Sequence, residues 1–508
     1  MKQSSKVILN TGTLYIKIII TTLVTLFSTR IALNALGVDS FGLYNLIAGI
    51  IILLSFLNGA LLVSTQRFLS IAIGEKNYDK LSSIFNVSVL IHILIAAFLA
   101  IVLIAIKPLL FDGFLSIKPE MVPEAERVYE IMILTTIITL FTVPYNSVIN
   151  AREEMWFFAI SEILIALLKL FAAIYIMYAK DNLLTTYTFL MLIAILAGTL
   201  TKYLWCRYRY KETRIRFRQI FNKPIFKEMI GFISWNTLGS ASVLFRNQGV
   251  AIVLNIFFGT AINAAYGIAN NLNSMVLVFS TTLSMVFTPM IIMARGEGND
   301  NKMLFISILS SKTSFYLSSV LAIPILLYTP LILKIWLGNI PEYSVVLSRL
   351  IILSFLVIQL YPGITRIIYA VGDIKYYQII ISIFLISIIP LGYIAFKFGC
   401  PPYSILIIMI ISQICTLLTT VYFAKIKSKL DMRNFIRKSV INPVFYFCIV
   451  VLCGVLISRV ISEINELIDM FLTSTICIII YSVIYYKIIY NRDERILINN
   501  LINKFNVI

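Results

Sequence analysis

Histidine is almost absent from this chain. His92 is the only one in 508 residues, and charged side chains make up just 13% of the sequence. A lone imidazole excludes histidine-rich metal chemistry. There is no DxD, which disfavours a metal-dependent nucleotide-sugar transferase, and no HExxH, P-loop or GxSxG. These absences point away from an enzyme. Without an ATPase motif, the energy for any transport comes from an ion gradient, the membrane potential or the substrate gradient itself. The six cysteines (Cys206, Cys400, Cys415, Cys448, Cys453 and Cys477) form no CxxC and no loop framework, so neither disulfides nor zinc are implied. No removable signal peptide is apparent, because Lys17 and Arg30 interrupt the first apolar run and no small-residue cleavage site follows cleanly. Loops are short as well, the longest about two dozen residues, too little to fold as a soluble domain.

What remains is apolar length. Hydrophobic residues account for 60% of the chain, and mean hydropathy is +0.94. A run of about 18 or more apolar residues can cross a bilayer. Such runs fall near 13–36, 42–63, 84–106, 128–150, 156–179, 183–204, 230–257, 265–293, 305–328, 345–370, 376–398, 403–424, 439–460 and 467–490. The expectation is an all-α integral membrane protein with fourteen transmembrane helices.

A net charge of +18 raises the question of nucleic acid, but its distribution argues against that partner. Residues 202–227 hold Lys202, Arg207, Arg209, Lys211, Arg214, Arg216, Arg218, Lys223 and Lys227 against Glu212, and a second basic loop runs from Lys425 to Lys438. Loops of opposite parity are neutral or acidic, with Asp112, Lys118, Glu120, Glu124 and Glu126 in one and Glu463, Glu466 and Asp469 in another. Lys and Arg favour the cytoplasmic side, so both termini are expected in the cytoplasm. The basic excess reads as topology signal, helped by anionic lipid headgroups.

A shift of 222 residues superposes residues that are uncommon here: Gly37 on Gly259, Tyr44 on Tyr266, Gly74-Glu75 on Gly296-Glu297, Asn77 on Asn299, Lys80 on Lys302 and Pro108 on Pro330. The expected plan is two parallel six-helix bundles, 1–223 and 224–430, plus two additional transmembrane helices in 431–508. Pro144 in span four and Pro362 in span ten occupy nearly corresponding places, as expected of hinged or broken helices beside a binding site.

Charges inside the spans are the candidate site. A Lys or Arg at the bilayer centre costs about 2.5–3.5 kcal/mol on insertion scales and usually faces a bundle interior or a watery cavity. Arg30 lies toward the outer end of span one, where it lines a cavity or snorkels to headgroups. Arg246 sits in the middle of span seven beside Asn247 and Gln248, and Arg366 follows Pro362 by four residues. Arg366 either binds substrate or satisfies carbonyls freed by the proline. Glu162 and Lys169 share one face of span five, as a structural ion pair or as an ion-coupling site for Na+ or H+. Lys17 and Arg67 lie near the inner surface and are expected to snorkel and to anchor at headgroups. His92 reads as a satisfied helix residue. Cations outnumber acids in this set, so a cavity they lined would suit an anionic substrate, with arginine's planar fork matched to phosphate.

The stretches "LFSTRIALNALGVDSFGLYNLIAGI" (Leu26–Ile50), "LNGALLVSTQRFLSIAIGEKN" (Leu57–Asn77) and "PYNSVINAREEM" (Pro144–Met155) resemble bacterial polysaccharide transporters, the Wzx-type flippases of O-antigen and capsule units. That family belongs to the superfamily of multidrug-extrusion antiporters and peptidoglycan lipid flippases. The resemblance implies a MATE-like pseudo-twofold architecture in a bacterial inner membrane. It also implies translocation of undecaprenyl-pyrophosphate-linked oligosaccharides to the outer leaflet, with a polymerase or glycosyltransferases of the same pathway as partners. The family's cationic cavity carries over as Arg30 and, more loosely, Arg246. A multidrug or cation antiporter, a peptidoglycan-precursor flippase and a membrane polymerase or ligase remain as alternatives. An antiporter for cationic drugs would show an acidic cavity, and a polymerase a large external loop.

Overall fold

The structure is a computed structural model that describes residues 3–52, 55–111, 117–216, 221–461, 465–496 and 499. Asp112, Arg218 and Glu463 of the charge pattern lie outside the described residues. Among the described residues there is no β-strand, as expected for an apolar chain whose backbone must satisfy its own hydrogen bonds in lipid.

The helices are α1 (Gln3–Ile52), α2 (Ser55–Gly74), α3 (Tyr78–Leu109), α4 (Val122–Ala151), α5 (Met155–Ile176), α6 (Leu183–Arg209), α7 (Lys223–Gly296), α8 (Asp300–Leu337), α9 (Ser344–Gln359), α10 (Pro362–Val371), α11 (Lys375–Lys397), α12 (Ser404–Ser428), α13 (Met432–Phe435), α14 (Asn442–Ile461) and α15 (Glu466–Ile484). Twelve of the described helices are long and apolar enough to cross a membrane, and α9 with α10 adds a broken span bent by 45°. Helix α7 is 74 residues long. At about 1.5 Å per residue it is long enough for two crossings when divided at its bend, a length compatible with the fourteen spans expected.

That bend sits at Gly259 (φ 74°, ψ −170°), and α1 bends in the same way at Gly37 (φ 75°, ψ 169°). This backbone region is essentially glycine's alone, so the two glycines superposed by the sequence repeat each mark a bend between two helical segments. The repeat extends to finer detail. Asn77 caps α3 by accepting from the Lys80 amide at 3.0 Å, and Asn299 caps α8 by accepting from the Lys302 amide at 2.9 Å. In each case the lysine also pairs with a glutamate, Lys80 with Glu75 at 2.8 Å and Lys302 with Glu297 at 2.9 Å.

The prolines behave differently. Helix α4 runs through Pro144 without a break, whereas Pro362 opens α10 after a true interruption. Gly363 lets α10 press onto α8: a β-carbon there would collide with the Ser307 carbonyl, and the Gly363 amide donates to Ser311 Oγ at 3.1 Å.

The chain divides into two compact units, Leu9–Thr237 and Leu238–Ile508 with the short piece Met1–Ile8. In the first, α4 packs on α2, α3, α5 and α6; in the second, α12 packs on α9, α10 and α11, and α14 and α15 pack on α8.

Candidate functional site

In the first unit, residues four apart put Lys17, Thr21 and Thr25 on one face of α1, with Ser28 and Thr29 a turn further on. Helix α5 answers with Glu162, Ile165, Ala166 and Lys169. Together with Tyr44, Tyr187 and Met191 these residues line a cavity of about 310 Å³. Ser28 Oγ donates to the Lys169 carbonyl at 3.4 Å, and Tyr44 meets Tyr187 edge-to-face at 5.2 Å. The Thr21 and Thr25 hydroxyls donate to the carbonyls of Lys17 and Thr21 at 2.8 and 2.7 Å. Each hydroxyl oxygen keeps a lone pair to offer.

The charge arrangement departs from expectation. Glu162 takes its close ion pair from Lys202 on α6, at 2.6 Å, while Lys169 feels the same carboxylate electrostatically. Lys202 was grouped with the loop cations; instead it is 2% exposed inside the helix. Lys17, expected to snorkel away, lines the cavity with its ammonium 5.6 Å from the Phe158 ring, and Lys202 reaches the same ring at 5.1 Å. Lys17 and Lys169 therefore line the same cavity as Glu162, whose carboxylate is held by Lys202. Arg30 is exposed and does not belong to the residues lining this cavity.

The other arginines lie in the second unit. Arg246 donates through Nε and Nη2 to Asn247 Oδ1 at 3.1 and 2.9 Å, and its electrostatic neighbours are the Tyr266 and Tyr361 hydroxyls. Asn247 and Gln248 are exposed. Arg366 places its guanidinium 5.6 Å from the Tyr369 ring, next to Tyr377, and its buried Nε has no hydrogen-bond partner. The tyrosines are held in turn: Tyr361 donates to Gln413 Oε1 at 3.2 Å, Tyr369 accepts from Gln378 at 2.9 Å, and Tyr377 shares a bond with Thr420 at 3.2 Å. Arg246 and Arg366 thus each sit in a tyrosine-lined network, beside Tyr266 and Tyr361 for the first and beside Tyr369 and Tyr377 for the second. Among the described residues neither arginine has a carboxylate within ion-pair distance.

Arg67 corrects another expectation. It is 4% exposed rather than at headgroups, stacked between Phe68 and Phe232 at 4.6 and 4.8 Å, with Glu228 at 3.9 Å. The tyrosines of the network and Lys202 were missed as site residues; for Lys202 the signal was available, since a lysine inside an apolar run already demands a partner.

With this geometry in view, the comparisons place the fold. The MatE family model matches residues 12–176. Among solved structures, a multidrug resistance MATE family transporter of the MOP superfamily in an outward-facing conformation matches with a TM-score of 0.73 and 16% identity, over 84% of this chain and 96% of that one. A MATE structure in a bent conformation gives 0.74 and 15%, over 86% and 99%. A MOP superfamily transporter from Pyrococcus furiosus, described as having a binding pocket of reverse polarity that suggests a different function, gives 0.72 and 16%, over 86% and 97%. No curated protein matches the sequence. The chain is a multi-pass membrane protein with the fold of the MATE transporters. Its first unit carries the MatE sequence pattern, and the family it resembles is one of transporters rather than enzymes.

Proposed function

We propose that this protein is a transporter that moves an anionic, lipid-linked saccharide across a bacterial inner membrane by alternating access, from the cytoplasmic to the outer leaflet. The substrate class we favour is an undecaprenyl-pyrophosphate-linked oligosaccharide. The observation that carries this reading is the charge balance of the first-unit cavity. Among the described residues that line it the one carboxylate, Glu162, is already engaged by Lys202, which leaves Lys17 and Lys169 as cations to receive an anion, while the Thr21 and Thr25 hydroxyl oxygens can accept from saccharide hydroxyls. A phosphate group there would replace its hydration with charge-assisted hydrogen bonds. Arg246 and Arg366, which lack carboxylate partners, and the amides of Asn247 and Gln248 supply further donors in the second unit. Arg30 stays a candidate for the outer end of the path. The basic loops support a cytoplasmic position for both termini, and Glu162 is the group through which Na+ or H+ coupling would act. A polymerase or glycosyltransferases would work on the same lipid.

The second reading is a multidrug transporter, favoured by the description of the outward-facing MATE structure. A cationic drug needs a carboxylate free to receive it, and here Lys202 already occupies that carboxylate. The two readings separate in reconstituted vesicles. A fluorescent polyprenyl-pyrophosphate saccharide should be flipped by the wild type and lost on Lys17→Gln/Lys169→Gln, with the fold intact by size-exclusion chromatography. Uptake of a fluorescent cation with no flipping of the anionic lipid would reverse the assignment.

A further inference from the structure

The first unit carries a second cavity, of about 440 Å³, between α3, α4 and α6. It shares no lining residue with the cationic cavity and plays no part in the proposed transport. Ile93, Phe141, Leu196 and Leu200 form its walls and are between 37% and 53% exposed, so it opens on the apolar outer face of the unit. His92, in its lining, is fully buried and presents no accessible polar atom. One end is closed by Ile215 and by Tyr145 and Tyr203, whose rings meet edge-to-face at 5.5 Å.

Beyond that end the surface is basic. On α6, Arg207 follows Tyr203 by one turn, about 6 Å, and it interacts electrostatically with Tyr145. Ile215 is flanked by Arg214 and Arg216. The Arg216 amide donates to Asn86 Oδ1 at 2.8 Å, which ties this loop to α3, the helix that supplies Ile93. All three arginines are exposed. The nearby carboxylates are already taken, Glu212 by Arg152, and Glu154 by Trp205 at 2.9 Å and Arg209 at 3.5 Å. Among the described residues Arg207, Arg214 and Arg216 therefore have no carboxylate within ion-pair distance.

We propose that this crevice binds one anionic glycerophospholipid from the leaflet on the basic-loop side, an acyl chain lying along its apolar walls and the phosphate resting at Arg207, Arg214 and Arg216. An apolar trough with unpaired arginines at one end has the same polarity along its length as such a lipid, and the guanidinium fork matches phosphate oxygens. A zwitterionic lipid brings a cation of its own to the same rim and gains less. The internal repeat adds an independent argument. Ile93 corresponds, 222 residues on, to Phe315. Phe315 is 2% exposed and packs on Phe447 of α14, so the second unit covers this position with one of its additional helices. In the first unit Ile93 is 44% exposed, and a lipid chain supplies the missing cover.

The test uses the full chain in phosphatidylethanolamine vesicles with one of two probes, phosphatidylglycerol or phosphatidylcholine carrying the same diazirine-bearing acyl chain. Peptide mapping of the photolabelled wild type should show about fivefold more of the anionic probe on the segments that carry Phe141, Leu196 and Leu200. That ratio corresponds to about 1 kcal/mol, the worth of one arginine at an anionic surface. Arg207→Gln/Arg214→Gln/Arg216→Gln should bring the ratio to about one, and Leu200→Trp should fill the crevice and remove labelling at Phe141 by both probes. Leu418 and Tyr422, exposed on α12 beside Lys425, show what basic charge does where no crevice holds the chain, and their ratio should be smaller. Equal labelling of the wild-type crevice by the two probes overturns the proposal without recourse to any variant. So does an anionic preference as large on α12 as in the crevice, or one that survives the triple substitution.

Discussion

Lys312, in the membrane-spanning helix α8, and Glu494, beyond the last span, form a buried ion pair at 2.8 Å with side chains 1% and 2% exposed. Lys312 Nζ also donates to the Ile489 carbonyl at 3.1 Å, and the Asn491 amide donates to Glu494 at 2.6 Å. Tyr485 donates to the Lys312 carbonyl at 2.7 Å. A lysine about 18 Å along its helix is thus neutralised by a residue 182 positions later in the chain.

Removing one partner of a buried pair costs about 3–5 kcal/mol, because the other charge is left unpaired, while replacing both with apolar groups is often neutral. Glu494→Ala should therefore lower the thermal stability of the detergent-solubilised protein sharply. Adding Lys312→Met to that variant should restore most of the loss. A single Glu494→Ala variant as stable as the wild type would show that the pair contributes nothing.

The two bends give a second expectation. Gly37 and Gly259 hold nearly the same conformation, and any residue with a β-carbon is strained there by about 1–3 kcal/mol. No neighbouring atom crowds either position. The penalty of Gly37→Ala and Gly259→Ala is then one of backbone alone and should be similar at the two sites, read as matched drops in melting temperature. A large loss at one and none at the other would contradict the shared role.

Gly363 makes the contrasting case, in which the backbone is ordinary and the obstacle is a neighbour. A methyl group there meets the Ser307 backbone, which cannot rotate away. Gly363→Ala should cost about 1–3 kcal/mol as overpacking. Ser311→Ala should cost less, about 1 kcal/mol, for the lost bond to the Gly363 amide. Reversal of that order in thermal unfolding would mean that α10 can slide on α8.

These glycines also show why much of the fold was legible. Span positions follow from apolar run length, and the repeat was readable because its markers are rare residues with structural duties: glycine for a left-handed bend, asparagine for a cap, glutamate and lysine for a pair. The site was less legible. Lys202 and Glu162 lie 40 residues apart, and Lys312 and Glu494 far more. In a single sequence nothing but an unmatched charge in an apolar run announces such partners. Arg67 near the end of its helix has the same pattern as a headgroup anchor until Phe232, distant in sequence, closes over it. Span counting is local, whereas charge pairing depends on which helices meet.

The Lys202–Glu162 pair decides the sign of the first-unit cavity, so it gives the most informative variants for function. Lys202→Met removes an ammonium that is almost wholly buried and leaves Glu162 facing Lys17 and Lys169 without its ion-pair partner. Glu162 would then turn toward Lys169, with which it already interacts electrostatically, and neutralise one of the cations proposed to receive the phosphate. Flipping of an anionic lipid should fall by about one to two orders of magnitude, the loss of one or two charge-assisted bonds. In Lys202→Met/Glu162→Gln no carboxylate competes for Lys169, so flipping should recover toward the wild-type rate if Glu162 has no further duty. If Glu162 also couples transport to Na+ or H+, the double variant should flip substrate down its gradient yet fail to respond to an imposed ion gradient. Measuring both rates in the same vesicles, with and without the gradient, separates those roles.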